Sequence, residues 1–252
     1  MTSIRTVPLE LVHQELRLKD PIVLPANWRN VPLASWKMDA DGLILRQLFR
    51  QFRPMRHLEF GTWTGEGVLR VVEECDATVW TVNLLAGETK PNGEWAYGTL
   101  EGERFGAGTT WSDRQETDDG VWIRTDAYGQ IGRNYLEAGW GKRVCQIYAD
   151  SREWDTSAYP KGFFDTCLID GGHSIAIVDN DTSLAMRLVR PGGLVMWHDF
   201  CPEPDVLAAC DSTRDVTEYV TAHHVGLRRS FDKLFWVSPS WLLIGVRNAH
   251  RV

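Results

Sequence analysis

A series of short apolar runs in this chain stop on residues that can move protons or hold ligands. RHLEF (56–60) carries Glu59 into the turn Gly61-Thr62-Trp63-Thr64-Gly65. TVWTV (78–82) stops at Asn83, and RVCQIY (143–148) is followed by Asp150-Ser151. FFDTCLI (163–169) stops at Asp170-Gly171-Gly172-His173, and LVMW (194–197) at His198-Asp199. An imidazole with a near-neutral pKa can take a proton from a hydroxyl, so His173 and His198 are candidate bases. Asp170 and Asp199 are acids that could bind a divalent cation and so acidify a bound hydroxyl. Gly61 and Gly65 let backbone approach a ligand where a side chain would block it. Their spacing excludes a dinucleotide fingerprint. G-x-G-x-x-G fails from Gly61, whose third position is Trp63, and from Gly65, whose sixth is Arg70.

These residues need a scaffold that gathers strand ends. The run 56–60, a glycine turn, a helical stretch 66–74 and the run 78–82 make a strand–turn–helix–strand unit, which implies a parallel sheet. A helix is predicted over 127–138, and another over 175–189 with Ile177, Leu184, Leu188 and Val189 on its apolar side. Pro191-Gly192-Gly193 reads as a tight turn into 194–197. A helix over 214–226 precedes two strands, 234–237 and 241–246, joined by Ser238-Pro239-Ser240 as an antiparallel hairpin at the sheet edge. The expected fold is a Rossmann-like, doubly wound α/β domain over residues 39–252. In such sheets ligands bind beyond the carboxyl ends of the strands, where the residues above collect.

Two regions depart from the rhythm. Residues 1–38, punctuated by Pro8, Pro21, Pro25 and Pro32, read as an arm over the domain or a neighbouring subunit, which hints at a homodimer. Residues 86–120 are glycine-rich and acidic but carry Trp95, Tyr97, Phe105 and Trp111, so they read as a substrate lid or a solvated excursion. The net charge of −7 argues against a broad nucleic-acid-binding face. There is no membrane-length apolar run and no signal-like N-terminus, so a cytoplasmic location is expected. The five scattered cysteines form no CxxC pair and suggest reduced thiols.

The motif Glu59-x-Gly61-x-x-x-Gly65 resembles motif I of class I methyltransferases. The block FDTCLIDGGHSIAIVDNDTSLAMRLVRPGGLVMWHDF resembles a small O-methyltransferase-like branch of that family with IDG-x-HS, RPGG and WHD elements, and the likeness extends over about residues 40–245. It implies S-adenosylmethionine as cofactor, and the aromatic residues of 86–120 favour a small-molecule acceptor with a ring, a phenol or a sugar hydroxyl. It further implies that Glu59, Gly61, Thr62, Gly65 and Asn83 lie against the cofactor. Asp150 and Ser151 would face its adenine, and Asp170 its methionine end. Such enzymes carry an acid where this chain has Asn83, an amide that can accept at its oxygen but must otherwise donate. Related metal-dependent members place carboxylates at Asp170 and Asp199, making magnesium a second route. They complete the site with a polar residue where this chain has Phe200.

Rival readings remain open from the residues alone. One is a catalytically silent cofactor-binding or scaffold protein, for which Asn83 speaks. Another is a metal-dependent hydrolase built on Asp170, His173, His198 and Asp199. Asp179 and Asp181 read as the solvated face of their helix.

Overall fold

The computed structural model describes residues 4–24, 33–84, 114–116, 122–124 and 131–249, with no side-chain description for residues 33–39, 114–116, 122–124, 209 and 211. An eight-stranded sheet runs in the order β1-β9-β10-β8-β7-β2-β3-β6. Its members are β1 (Arg5–Pro8), β2 (Arg56–Phe60), β3 (Thr78–Asn83), β6 (Val144–Tyr148), β7 (Phe164–Ile169), β8 (Val189–Trp197), β9 (Phe231–Ser238) and β10 (Leu242–Arg247). All pairings are parallel except the two made by β10.

This is the Rossmann-like sheet that the rhythm implied, with one correction. The antiparallel strand β10 is internal, between β8 and β9, and not at the edge. The edge belongs to β1, so part of the segment read as an arm is a strand of the main sheet, paired to β9 from Arg5↔Phe235 to Pro8↔Ser238. Every residue of β7 is buried, as helices on both faces of a parallel sheet require.

The helices are α1 (Val12–Leu16), α2 (Leu33–Phe52), α3 (Glu66–Val72), α4 (Arg133–Glu137), α5 (Ile175–Leu188), α6 (Pro204–Ala209) and α7 (Asp211–Ser230). Along α2 the stripe Ala40, Ile44, Leu45, Leu48 and Phe49 is buried against the sheet. The predicted Pro191-Gly192-Gly193 turn lies inside β8. There it is accommodated as an irregularity, since pairing with β7 jumps from Phe164↔Val189 to Thr166↔Leu194. Of the stretch 86–120, only β4 (Arg114–Glu116) is described. It pairs antiparallel with β5 (Trp122–Arg124), and the aromatic residues that suggested a lid lie outside the described residues. Among the described residues no helix is long and apolar enough to cross a membrane.

Candidate active site

From β2 the chain order moves outward through β3 to β6, then returns to β7 on the other side of β2. The β2/β7 boundary is therefore the switch point where such sheets open a crevice. Both glycines predicted to line it adopt backbone that L side chains avoid, with φ 95° at Gly61 and 93° at Gly65. A Cβ on Gly61 would lie 2.0 Å from the Asp170 carbonyl oxygen, so the absent side chain is what lets the two strand-end loops meet. At Gly65 the neighbour is the Tyr135 ring, 2.7 Å from the missing Cβ.

Glu59 is buried at the root of the crevice, and its carboxylate fills the space over Gly67, where a Cβ would sit 1.8 Å from Oε1. Burial and the neighbouring Asp170 push its pKa well above the usual carboxylate value, against the opposing pull of Arg70. Thr62 bonds Thr81 through the hydroxyls (2.6 Å) and accepts from Gln146 Nε2 (3.0 Å). The Asn83 carbonyl oxygen accepts the Trp63 N–H at 3.1 Å, and its amide donates to the Leu84 carbonyl at 2.7 Å. Asn83 therefore ties the end of β3 to the glycine turn. Asp150 pairs with Arg152, and Asn180 Nδ2 donates to Ser151 Oγ at 3.2 Å.

On the other side of the switch point, the predicted acids and histidines converge. His173 Nε2 lies 2.8 Å from Asp199 Oδ2. His198 Nδ1 lies 3.0 Å from Asp170 Oδ1 and 3.3 Å from Asp199 Oδ2. Asp199 itself sits at φ 58°, a left-handed conformation costly for a non-glycine residue and characteristic of functional sites. Burial would lower the His198 pKa, but Asp170 and Asp199 outweigh it and hold the ring well above its ordinary value. Burial likewise opposes the charge of Asp199, yet His198 and His173 hold its pKa well below the carboxylate range. His173 is raised because Asp199 outweighs its own desolvation. The exposures differ sharply: the His173 side chain is 41% exposed and that of His198 only 6%.

Two residues were missed by sequence reasoning or misassigned by it. Asp41, on α2, is fully buried and places Oδ2 3.3 Å from His198 Nε2. Asp181, read as solvated, is buried beside Ser151 and Asn180, and burial raises its pKa to about 6. Its partner in that expectation, Asp179, is exposed. The signal for Asp181 was in the spacing, since 177, 181, 184 and 188 lie along one helical stripe.

Asp170, His173 and Asp199 offer ligand atoms within 4.8 Å of one another. Magnesium favours six oxygens in near-octahedral array. Here Asp199 Oδ2 is shared by two imidazoles, Asp170 faces a third nitrogen contact from His198, and Phe200 is apolar and buried. The residues do not fit magnesium.

Comparison with known proteins agrees with this architecture. The structure is similar to methyltransferase PaMTH1 of Podospora anserina bound to S-adenosylhomocysteine, at 14% identity and TM-score 0.53, over 94% of this chain and 93% of that one. It is similar to an O-methyltransferase from Bacillus cereus in complex with S-adenosylhomocysteine, at 14% identity and TM-score 0.52, over 95% and 98%. Cofactor-bound Rv0187 from MTB aligns at 18% identity and TM-score 0.50, over 93% and 86%. A search of curated proteins found no match to the sequence. The family model described as "Methyltransferase domain" matches residues 58–200, the span from β2 through the His198-Asp199 turn, and the chain belongs to that family.

Proposed function

We propose that this protein transfers a methyl group from S-adenosylmethionine to a hydroxyl of a small-molecule acceptor. The observation that carries this reading is the Gly61 turn at the switch point. It lets the β2 and β7 end loops meet, with the Asp170 carbonyl against Gly61 and Glu59 buried at the end of β2. When bound, the cofactor supplies an electrophilic methyl on a positively charged sulfur. Asp170 places negative charge at that end of the crevice. His173 is the exposed imidazole, and Asp199 behind it favours its protonated form, so it is suited to take the acceptor's hydroxyl proton. A bound S-adenosylmethionine would supply the methyl carbon for the new bond to that oxygen, the electron pair of the broken carbon–sulfur bond staying on its sulfur. His198 is enclosed by carboxylates and braces the site instead of meeting the acceptor. Alignment of nucleophile, methyl and sulfur is the larger part of such catalysis.

A silent, cofactor-binding protein is the second reading. It is favoured by Asn83, whose carbonyl oxygen already holds the Trp63 N–H. Thermal unfolding with S-adenosylhomocysteine, with NADH and with magnesium, each alone, tests the proposal. Ligand at a hundredfold its dissociation constant should add about 2.7 kcal/mol, a shift of several degrees. We expect that shift with S-adenosylhomocysteine only, and its absence overturns the cofactor assignment. Incubation of the protein with methyl-labelled cofactor and a panel of phenols and sugars then separates an enzyme from a silent binder.

A further inference from the structure

We propose that Asp41, on a helix remote in sequence from the strand-end loops, is the positioning residue that orients His198. Its side chain is fully buried, flanked along α2 by the apolar Ala40, Ile44 and Leu45. A carboxylate among such neighbours is costly unless something answers its charge. Among the described residues Asp41 meets two polar partners. Both oxygens lie within reach of the Trp241 backbone N–H, at 3.2 and 3.3 Å, and Oδ2 lies 3.3 Å from His198 Nε2. The backbone N–H needs only a neutral acceptor. Burial pushes the Asp41 pKa up, and the His198 imidazole is the strongest pull in the other direction.

Carboxylates therefore stand at both nitrogens of His198, at charge-contact distance and not in aligned hydrogen bonds. The ring is rigid, and its Nε2 faces Asp41 while its Nδ1 faces Asp170 and Asp199. Charge on both sides of the ring favours the orientation that turns a nitrogen, and not a carbon, toward each carboxylate. A half-turn about the Cβ–Cγ bond would set carbon atoms against the carboxylates. Asp199 would then keep His173 alone, and Asp170 would lose its imidazole. Asp41 touches none of the groups assigned to the methyl acceptor, and it acts on the site through His198. Its value to the reaction rests on the proposed function, whereas its hold on the ring does not.

The test is long-range proton–nitrogen correlation spectroscopy on protein labelled with ¹⁵N-histidine, in the wild type, Asp41→Asn and Asp41→Ala. The seven histidines give distinguishable rings, and His198→Asn assigns the pair of interest. Asparagine keeps the shape and an oxygen for the Trp241 N–H, so D41N remains informative if D41A does not fold. The expected result in D41N is that both His198 ring nitrogens shift or broaden. His173, which shares Asp199, responds more weakly, and the other rings stay in place. A D41N protein that melts lower but leaves the His198 nitrogens unmoved overturns the proposal and reduces Asp41 to an acceptor for Trp241. Calorimetry of S-adenosylhomocysteine on the wild type, run on the same preparation, fails separately if the cofactor reading is wrong.

Discussion

Strand β7 has a carboxylate near each end, Asp165 as its second residue and Asp170 just past its last. Asp165 receives the backbone N–H groups of Met55 (2.8 Å) and Arg56 (2.9 Å) on one oxygen and Arg190 Nε (2.6 Å) on the other. Burial alone would raise its pKa, but Arg190 and the two N–H groups outweigh burial and lower it. At the other end, Asp170 belongs to a cluster with Glu59, Asp41 and Asp199, in which three carboxylates share one imidazole. The contacts of His198 are charge contacts and not aligned hydrogen bonds, since neither ring nitrogen meets hydrogen-bond geometry. Fully paired charge at one end fastens the sheet. Crowded, imperfectly paired charge at the other end is where the ligand site is proposed.

The largest test of this contrast is Gly61→Ala. The new Cβ meets backbone at 2.0 Å on a residue at φ 95°. We expect a loss of about 3 kcal/mol or more in denaturant melts, with no thermal response to S-adenosylhomocysteine. Normal ligand response in G61A would mean that the crevice lies elsewhere.

Next comes the matched pair Asp165→Ala and Asp170→Asn. Removing Asp165 strands Arg190 and two N–H groups, so stability should fall by about 3 kcal/mol while ligand affinity holds. Asp170→Asn relieves crowding and should change stability by less than about 1 kcal/mol while weakening the ligand response. Equal stability losses from the two would erase the distinction between the ends.

The last test is acid sensitivity below pH 6.5, where the change over any single pH unit is the small quantity to be read. His57 in β2 is buried, its Nδ1 2.7 Å from Thr166 Oγ1, and burial pushes its pKa down to about 3. Between its ordinary 6.5 and that value the unfolded chain binds a proton that the folded one does not. The stability His57 contributes is thus complete above pH 6.5. It is lost as pH falls toward 3, by at most about 1.4 kcal/mol per unit. Asp165 adds its own loss only at lower pH, as its depressed folded pKa is approached. Urea melts at stepped pH should show a shallower decline in His57→Asn, whereas an unchanged slope would assign acid sensitivity to the active-site cluster.

Much of this was legible without coordinates. Short apolar runs ending in Gly61, Asp170 and His198-Asp199 specify a parallel sheet with a polar edge, because burial on both faces demands continuous apolar strands and polar residues must follow where they leave the core. The glycine spacing was equally local, since a backbone at positive φ admits little else. Asp41 shares a helical stripe with Leu45, Leu48 and Phe52, but the partner it meets was not legible. Its neighbours spell an ordinary amphipathic helix, and what a carboxylate on that stripe meets is decided only when α2 is laid on the sheet.

The internal place of β10 and the edge place of β1 were likewise settled by pairing between segments distant in the chain. Sequence determined which residues stand at strand ends, because periodicity and glycine requirements act over a few neighbouring residues. Only the tertiary structure decided which of those ends meet, and that a third carboxylate closes on His198, because charge contacts depend on distance in space and not along the chain.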